Sequence, residues 1–137
     1  MIARLDRFAP LAERYDGFVL DLWGVIHDGV TPYPGAIATL EALRRAGKRS
    51  VLLSNAPRRA GAAQAAMRAM GIPDDLYDGI LTSGEAVHRA LRDRSDPWFA
   101  GLGRRFLHIG PERDRNVFDT LDLDEVTTPE QAEFVIN

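Results

Sequence analysis

The sequence predicts an α/β fold built on a parallel β-sheet. Three short apolar runs, at residues 17–24, 50–55 and 80–83, each end in polar residues or glycine, as buried strands do. Segments with helical spacing of apolar residues, or with many alanines, separate these runs. Strands that alternate with helices in this way are typical of a parallel sheet with right-handed crossovers. The 137 residues are enough for one ordinary domain.

Local signals set the bounds of the elements in the first part of the chain. The first helix has apolar residues at spacings of three and stops at Gly47. The second helix is rich in alanine, a strong helix former, and Pro57 stands where it begins. Ser83 is expected to cap the third helix. The predicted strands are 17–24, 50–53 and 80–82, and the predicted helices are 36–46, 58–70 and 85–91.

A polar linker that ends in proline, residues 92–97, marks the best internal boundary. We therefore expect one domain at 1–92 and a second unit at 93–137. The second unit has a strand-like run at 105–110 and a short predicted helix at 111–120. The last residues, 134–137, form an apolar run without a following turn or tail. A chain can end in a strand, but such an ending is also typical of a truncated chain, which we expect here.

Composition and charge exclude several classes of function. Apolar residues make up 45% of the chain and charged residues 27%, which is typical of a soluble globular protein. The formal net charge is −3 and no basic block is present, so we expect neither a nucleic-acid nor a membrane partner. Without cysteine the chain has no thiolate nucleophile, and any metal must bind oxygen or imidazole ligands. No signal peptide or membrane-spanning run is present, so we predict a cytoplasmic protein.

Polar residues follow each predicted strand, at the edge where open parallel sheets bind ligands. Asp21 follows the first strand, Ser54 and Asn55 follow the second, and 82–83 follow the third. A carboxylate at such a place can attack phosphorus or carbon and can also bind Mg²⁺. The Ser54 hydroxyl can hydrogen-bond a phosphate oxygen. The residues alone also allow simpler roles, since Asp21 is a common turn residue and Ser54 a common helix cap.

Two motifs together resemble the haloacid dehalogenase (HAD) superfamily. They are residues 18–25 (FVLDLWGV) and 51–55 (VLLSN), about thirty residues apart. Further matches at 34–36 (PGA), 71–72 (GI) and 81–84 (LTSG) resemble its class IIA branch, whose cap domain is inserted after the third core strand. The resemblance implies an HAD-like Rossmannoid parallel sheet at 1–92 and the beginning of an inserted α/β cap domain at 93–137.

The resemblance also implies roles for the strand-end residues. Asp21 is expected to be the nucleophile that forms an aspartyl-phosphate. Its carboxylate and the backbone carbonyl of Trp23 are expected to bind Mg²⁺, the implied cofactor. Ser54 is expected to bind the transferring phosphoryl group, with Asn55 beside it. The implied activity is that of an HAD-type hydrolase, a phosphatase of small phosphorylated metabolites.

The sequence departs from the family pattern in two ways. HAD phosphatases usually have a second aspartate, the general acid and base, two residues after the nucleophile, where this chain has Trp23. This change indicates a different chemistry, a weak phosphatase, or recruitment of His27 or Asp28. The family's later motifs, a lysine and an acidic pair, lie after the cap and are not found in these 137 residues. Lys48 lies at the opposite end of the predicted sheet and does not replace that lysine.

Two other functions remain open at this point. The first is a catalytically inactive module that binds phosphate esters or another protein. The oligomeric state is open as well, and the chain could associate with further copies of itself. The second, a flavodoxin-like or nucleotide-binding domain, is disfavoured because no Gly-x-Gly-x-x-Gly or Walker-type loop follows a strand. Without later core strands, the first strand is expected to keep an exposed edge that favours association.

Overall fold

The computed structural model describes residues 6–137, which divide into two compact units. The first unit contains residues 6–54 and Gln64–Ile80, and the second contains Asn55–Ala63 and Leu81–Asn137. Both units contain parallel strands and helices, so the α/β fold class is confirmed. The domain boundary after residue 92 stays a prediction.

The first sheet has three strands in the order β1-β2-β3: β1 (Gly17–Leu20), β2 (Arg49–Ser54) and β3 (Gly79–Thr82). Strands β1 and β2 are parallel, and Leu20 is paired with Leu52. Buried and exposed residues alternate along β2, so every second side chain lies in the core. The carboxyl ends of β1 and β2 consequently lie at the same edge of the sheet.

Helices cover one face of this sheet and complete the core of the first unit. They are α1 (Ala9–Ala12), α2 (Ala36–Arg45) and α3 (Ala60–Ala69), the last of which belongs partly to each unit. Helix α2 ends with two arginines, which favour a helix C-terminus electrostatically. The buried cluster of this unit consists of Leu22, Ile26, Leu40, Leu52, Met67, Ile72, Leu76 and Tyr77.

The other face of the first sheet is apolar and exposed. Val19 is paired with Val51, and the side chains of these residues are 70% and 39% exposed. Leu53 lies on the same face as Val51, because it is two residues further along the strand, and it is 46% exposed. Among the strands of residues 6–137, β1 has a neighbour on one side only, which agrees with the predicted exposed edge.

The second unit contains α4 (Ser83–Asp93), α5 (Pro97–Ala100) and a second parallel sheet. Its strands are β4 (Arg105–His108), β5 (Asp124–Val126) and β6 (Phe134–Ile136), in the order β5-β4-β6. Phe106 of the central strand is buried, and its ring centroid lies 4.7 Å from that of Phe118. Short 3₁₀ helices are present at Asp74–Leu76 in the first unit and at Glu112–Val117 and Pro129–Gln131 in the second.

Two local predictions need correction, and one strand was not predicted. The helix predicted at 111–120 is a 3₁₀ turn over Glu112–Val117. The N-cap of α4 is Thr82 rather than Ser83, and the Thr82 side chain accepts a hydrogen bond from the backbone of Glu85. Strand β5 was not predicted, because its acidic residues have low strand propensity and pairing with β4 stabilises it. No helix within residues 6–137 is long and apolar enough to cross a membrane.

Candidate active site

The sheet brings two of the predicted site residues to the same edge. Asp21 follows the last residue of β1, and Ser54 is the last residue of β2. Because Leu20 is paired with Leu52 in a parallel register, both residues lie at the carboxyl end of the sheet. Ser54 is 7% exposed, whereas the Asp21 side chain lies at the surface. This edge of the first unit therefore presents a carboxylate to solvent beside a buried serine.

The carboxylate of Asp21 is held by the chain immediately after it. Its Oδ1 atom accepts a hydrogen bond of 2.7 Å from the backbone N–H of Leu22. The Leu22 side chain is buried in the core of the first unit, which anchors the backbone that makes this bond. An exposed carboxylate on an anchored backbone can approach an electrophile without first rearranging the fold.

The segment that follows β1 is a compact loop, residues 22–33. Its backbone is closed by hydrogen bonds from Gly24 N–H to the His27 carbonyl (2.9 Å) and from Tyr33 N–H to the Ile26 carbonyl (2.9 Å). Ile26 is 4% exposed and packs in the same core cluster as Leu22. These two apolar anchors give the loop a fixed position beside Asp21.

Trp23 projects from this loop and is 66% exposed. Its indole packs against Gly29, where an added Cβ atom would lie only 2.8 Å from the indole Nε1. Gly29 also has φ +96°, a conformation that residues with a side chain rarely adopt. The exposed residues Val25, Val30 and Tyr33 belong to the same loop. We call these four exposed residues, Trp23, Val25, Val30 and Tyr33, the loop patch.

His27 and Asp28, the two neighbours that could replace a missing acid, are both engaged within the loop. The Nδ1 atom of His27 accepts a hydrogen bond of 3.0 Å from the backbone of Gly29. Burial lowers the pKa of His27, and the nearby Asp28 opposes this effect only in part. The accepting role of Nδ1 places the proton of the neutral imidazole on Nε2.

Asp28 stabilises a turn. Its Oδ1 atom accepts hydrogen bonds from the backbones of Val30 (2.8 Å) and Thr31 (2.7 Å), and its Oδ2 accepts one from the Thr31 hydroxyl. The backbone hydrogen bonds, first that of Thr31 and then that of Val30, lower the pKa of Asp28. Because the charged form is favoured, Asp28 is a poor proton donor near neutral pH.

Asn55 and Lys48 are placed differently from Asp21. Asn55 belongs to the second unit, and its backbone carbonyl accepts a hydrogen bond of 3.0 Å from the Ser83 hydroxyl. Lys48 precedes β2, and its Nζ atom lies 3.0 Å from the carboxylate of Asp16, which precedes β1. The lysine therefore lies at the amino end of the sheet, opposite Asp21, which agrees with the sequence analysis.

A buried carboxylate in the second unit, that of Glu85, was not predicted from the sequence. Glu85 of α4 is 7% exposed and accepts hydrogen bonds from Arg59, Arg89 and the backbone of Ala60. These interactions, above all that of Arg59, lower the pKa of Glu85 to about 2. A sequence signal was present, since Thr82 followed three residues later by glutamate is the pattern of a capping box. The network is structural, because both carboxylate oxygens are occupied by donors of the protein.

The oxygen atoms that could bind a metal ion at this edge of the sheet suit a hard cation, but they are few. Asp21 supplies a carboxylate, and the backbone carbonyl of Trp23 is an oxygen donor two residues later. Within residues 6–137 no group of three or more His, Asp or Glu side chains is arranged to hold a metal ion. Mg²⁺ is often bound by one or two carboxylates together with water and a substrate phosphate, so these residues fit a partial magnesium site.

Comparisons with known proteins agree with the fold and the motifs. The family model of haloacid dehalogenase-like hydrolases matches residues 18–124. A search of curated proteins gave no match. Several solved structures are similar to the chain.

A haloacid dehalogenase-like hydrolase from Brucella suis 1330 is 35% identical, with a TM-score of 0.80 over 96% of this chain and 47% of that chain. A 4-nitrophenylphosphatase from Thermotoga maritima is 28% identical, with a TM-score of 0.63 over 91% of this chain and 45% of that chain. A hypothetical protein from Pyrococcus horikoshii OT3 shares the fold at 23% identity, with a TM-score of 0.58 over 82% of this chain and 41% of that chain. The chain thus spans less than half the length of each of these proteins.

Proposed function

Because the chain belongs to the haloacid dehalogenase-like hydrolase family, we propose that it carries the nucleophile half of a magnesium-dependent phosphatase of class IIA type. The supporting observation is the common position of Asp21 and Ser54 at the carboxyl edge of the first sheet. The substrate class is a small phosphorylated metabolite. Residues 93–137 are, on this proposal, the start of a cap domain.

In the proposed reaction a bond forms between an Asp21 carboxylate oxygen and phosphorus while the bond from phosphorus to the ester oxygen breaks, so that an aspartyl-phosphate forms and the rest of the substrate leaves as its alcohol or alkoxide. The Ser54 hydroxyl hydrogen-bonds an oxygen of the transferring phosphoryl group, with Asn55 beside it. Bound Mg²⁺, held by the Asp21 carboxylate and the Trp23 carbonyl, would neutralise negative charge on the phosphoryl oxygens. Phosphoryl transfer depends mainly on positioning and charge neutralisation, which these groups can supply. Water then hydrolyses the aspartyl-phosphate and restores Asp21.

The first test uses the polypeptide as its gene encodes it, with 4-nitrophenyl phosphate, because a similar structure is that of a 4-nitrophenylphosphatase. We expect turnover that requires Mg²⁺ and that falls about 10³-fold or more in the Asp21→Asn variant. The matched control is Asp16→Asn, an exposed aspartate at the opposite end of the same strand, which should retain activity. Equal turnover in both variants would contradict the assignment of the nucleophile. No turnover in the wild type with any phosphate ester would favour the inactive binding module.

A further inference from the structure

The position two residues after Asp21 cannot supply a proton. Trp23 stands there, and an indole offers only a hydrogen-bond donor that does not ionise near neutral pH. The Asp28 carboxylate accepts three hydrogen bonds within its turn, and His27 is 7% exposed with its Nδ1 occupied by the Gly29 N–H. The imidazole of His27 and the carboxylate of Asp28 are therefore both held in structural hydrogen bonds of this loop.

A substrate that reacts without a proton donor must have a leaving group that is stable as an anion. An alkanol is about as weak an acid as water, with a pKa of about 16, whereas a phenol has a pKa of about 10. General acid catalysis contributes about 10²- to 10⁴-fold to a rate. Without a general acid, the rate of hydrolysis consequently falls most for alkyl phosphates and least for aryl phosphates.

The loop patch favours the same class of substrate. Trp23 and Tyr33 expose aromatic rings, and Val25 and Val30 expose apolar side chains, within twelve residues of the nucleophile. Indole and phenol rings stack well on other aromatic rings. The packing of Trp23 on Gly29 holds the indole in place on the anchored loop.

We propose that Trp23 makes this site selective for aryl phosphate monoesters. The inference rests on the proposed function, since Asp21 must be the nucleophile. In the first step a bond forms between an Asp21 oxygen and phosphorus while the bond from phosphorus to the aryl oxygen breaks. The leaving group departs with the electron pair as a phenolate and takes its proton from solvent. In the second step water breaks the Asp21–phosphorus bond, and its proton goes to the released phosphate or to solvent.

Phenyl phosphate and cyclohexyl phosphate form a matched pair of substrates for the test. Both present a six-membered apolar ring, but only phenyl phosphate releases a stable anion. For the wild-type polypeptide, as its gene encodes it, we expect kcat/KM to be at least about 100-fold higher for phenyl phosphate. Most of this difference should lie in kcat, because the missing proton donor affects the chemical step, whereas stacking on Trp23 changes KM only about 2- to 10-fold. A series of substituted phenyl phosphates should show a steep rise in kcat as the leaving group becomes more acidic.

The Trp23→Asp variant restores an acid at this position, and Trp23→Asn is its control of similar size without an acid. We expect Trp23→Asp to raise the turnover of cyclohexyl phosphate and to reduce the difference between the two substrates at least 10-fold. In Trp23→Asn, the difference in kcat between phenyl phosphate and cyclohexyl phosphate should stay as large as in the wild type. Both variants should raise KM for phenyl phosphate about 2- to 10-fold, because the stacking surface is lost.

Four results would overturn the inference. A wild-type difference below about 100-fold would show that another group supplies the proton. An equal reduction of the difference in Trp23→Asn and Trp23→Asp would assign the effect to lost packing. A wild type that turns over both substrates at similar rates, with loss of both in Asp21→Asn, would leave the proposed function intact and refute only the selectivity. A wild type inactive on every phosphate ester would overturn the proposed function and this inference together.

Discussion

Glu85 is expected to stabilise the second unit strongly at neutral pH. Its Oε2 atom accepts hydrogen bonds from Arg59 Nε (2.6 Å) and from the backbone of Ala60 (3.3 Å), and its Oε1 accepts one from Arg89 Nε (2.9 Å). Because the carboxylate is buried, removing it leaves the backbone N–H of Ala60 and the partly buried guanidinium of Arg59 without their acceptor. Arg59 lies 26 residues before Glu85, which means that the network joins distant parts of the chain.

The magnitude follows from the pKa. The pKa of Glu85 falls from an ordinary value of 4.5 to about 2, chiefly because of the hydrogen bond from Arg59. This change corresponds to about 3 kcal/mol of free energy of unfolding that depends on the charged carboxylate. Because the folded pKa is lowered, this stabilisation is present above pH 4.5 and is lost as the pH falls through about 2.

Urea denaturation of Glu85→Gln, measured at pH 7 and at pH 3, tests this reasoning. We expect the variant to lose about 2–3 kcal/mol of free energy of unfolding at pH 7, since the arginines keep their charge but lose the carboxylate. The difference in free energy of unfolding between the variant and the wild type should be smaller at pH 3, because the wild type has lost part of the stabilisation from Glu85 at that pH. The control, Glu41→Gln, changes an exposed glutamate of α2 and should cost less than about 0.5 kcal/mol. A loss that is equal at both pH values would refute the electrostatic explanation.

Two further predictions concern packing and association. Gly84→Ala should lower the free energy of unfolding by more than about 2 kcal/mol, because the new Cβ atom would lie 2.5–2.7 Å from backbone atoms of Arg58. Gly61→Ala in α3 is the control, because a Cβ atom there meets open space. In thermal melts this control should be neutral or stabilising. The 137-residue chain expressed alone should associate in sedimentation experiments as its concentration rises. Among the strands of residues 6–137, β1 lies at an open edge of its sheet, and the exposed face of that sheet is apolar. Val19→Lys should weaken this association. A chain that stays monomeric and unfolds sharply would contradict the second prediction.

Local pattern was enough to predict the first sheet and its polar edge. The apolar runs before Asp21 and Ser54 are short and end abruptly, and helices of ordinary length separate them, which is the signature of parallel strands. A parallel register then places both residues at one edge without further information. The positions of these residues could therefore be predicted from the sequence, and their chemical roles stay predictions.

Interactions between distant residues could not be predicted in the same way. The Thr82-x-x-Glu85 pattern predicts a helix start, but the partners of Glu85 depend on the position of Arg59 in the folded chain. Strand β5 has acidic residues that disfavour a strand, and it exists because it pairs with β4 over Asp124–Val126. In both cases tertiary contacts outweigh the local preference of the residues.

The structure of the loop after β1 argues against one of the two residues that the sequence left as possible general acids. From the sequence, His27 and Asp28 were both candidates to replace the acid that Trp23 does not provide. The hydrogen bonds that Asp28 accepts from Val30 and Thr31 close a turn, and that turn brings Gly29 against the indole of Trp23. Releasing the carboxylate of Asp28 for proton transfer would remove the bonds that hold this turn. The same hydrogen bonds thus make Asp28 a structural residue and fix the indole that, in our proposal, selects the substrate.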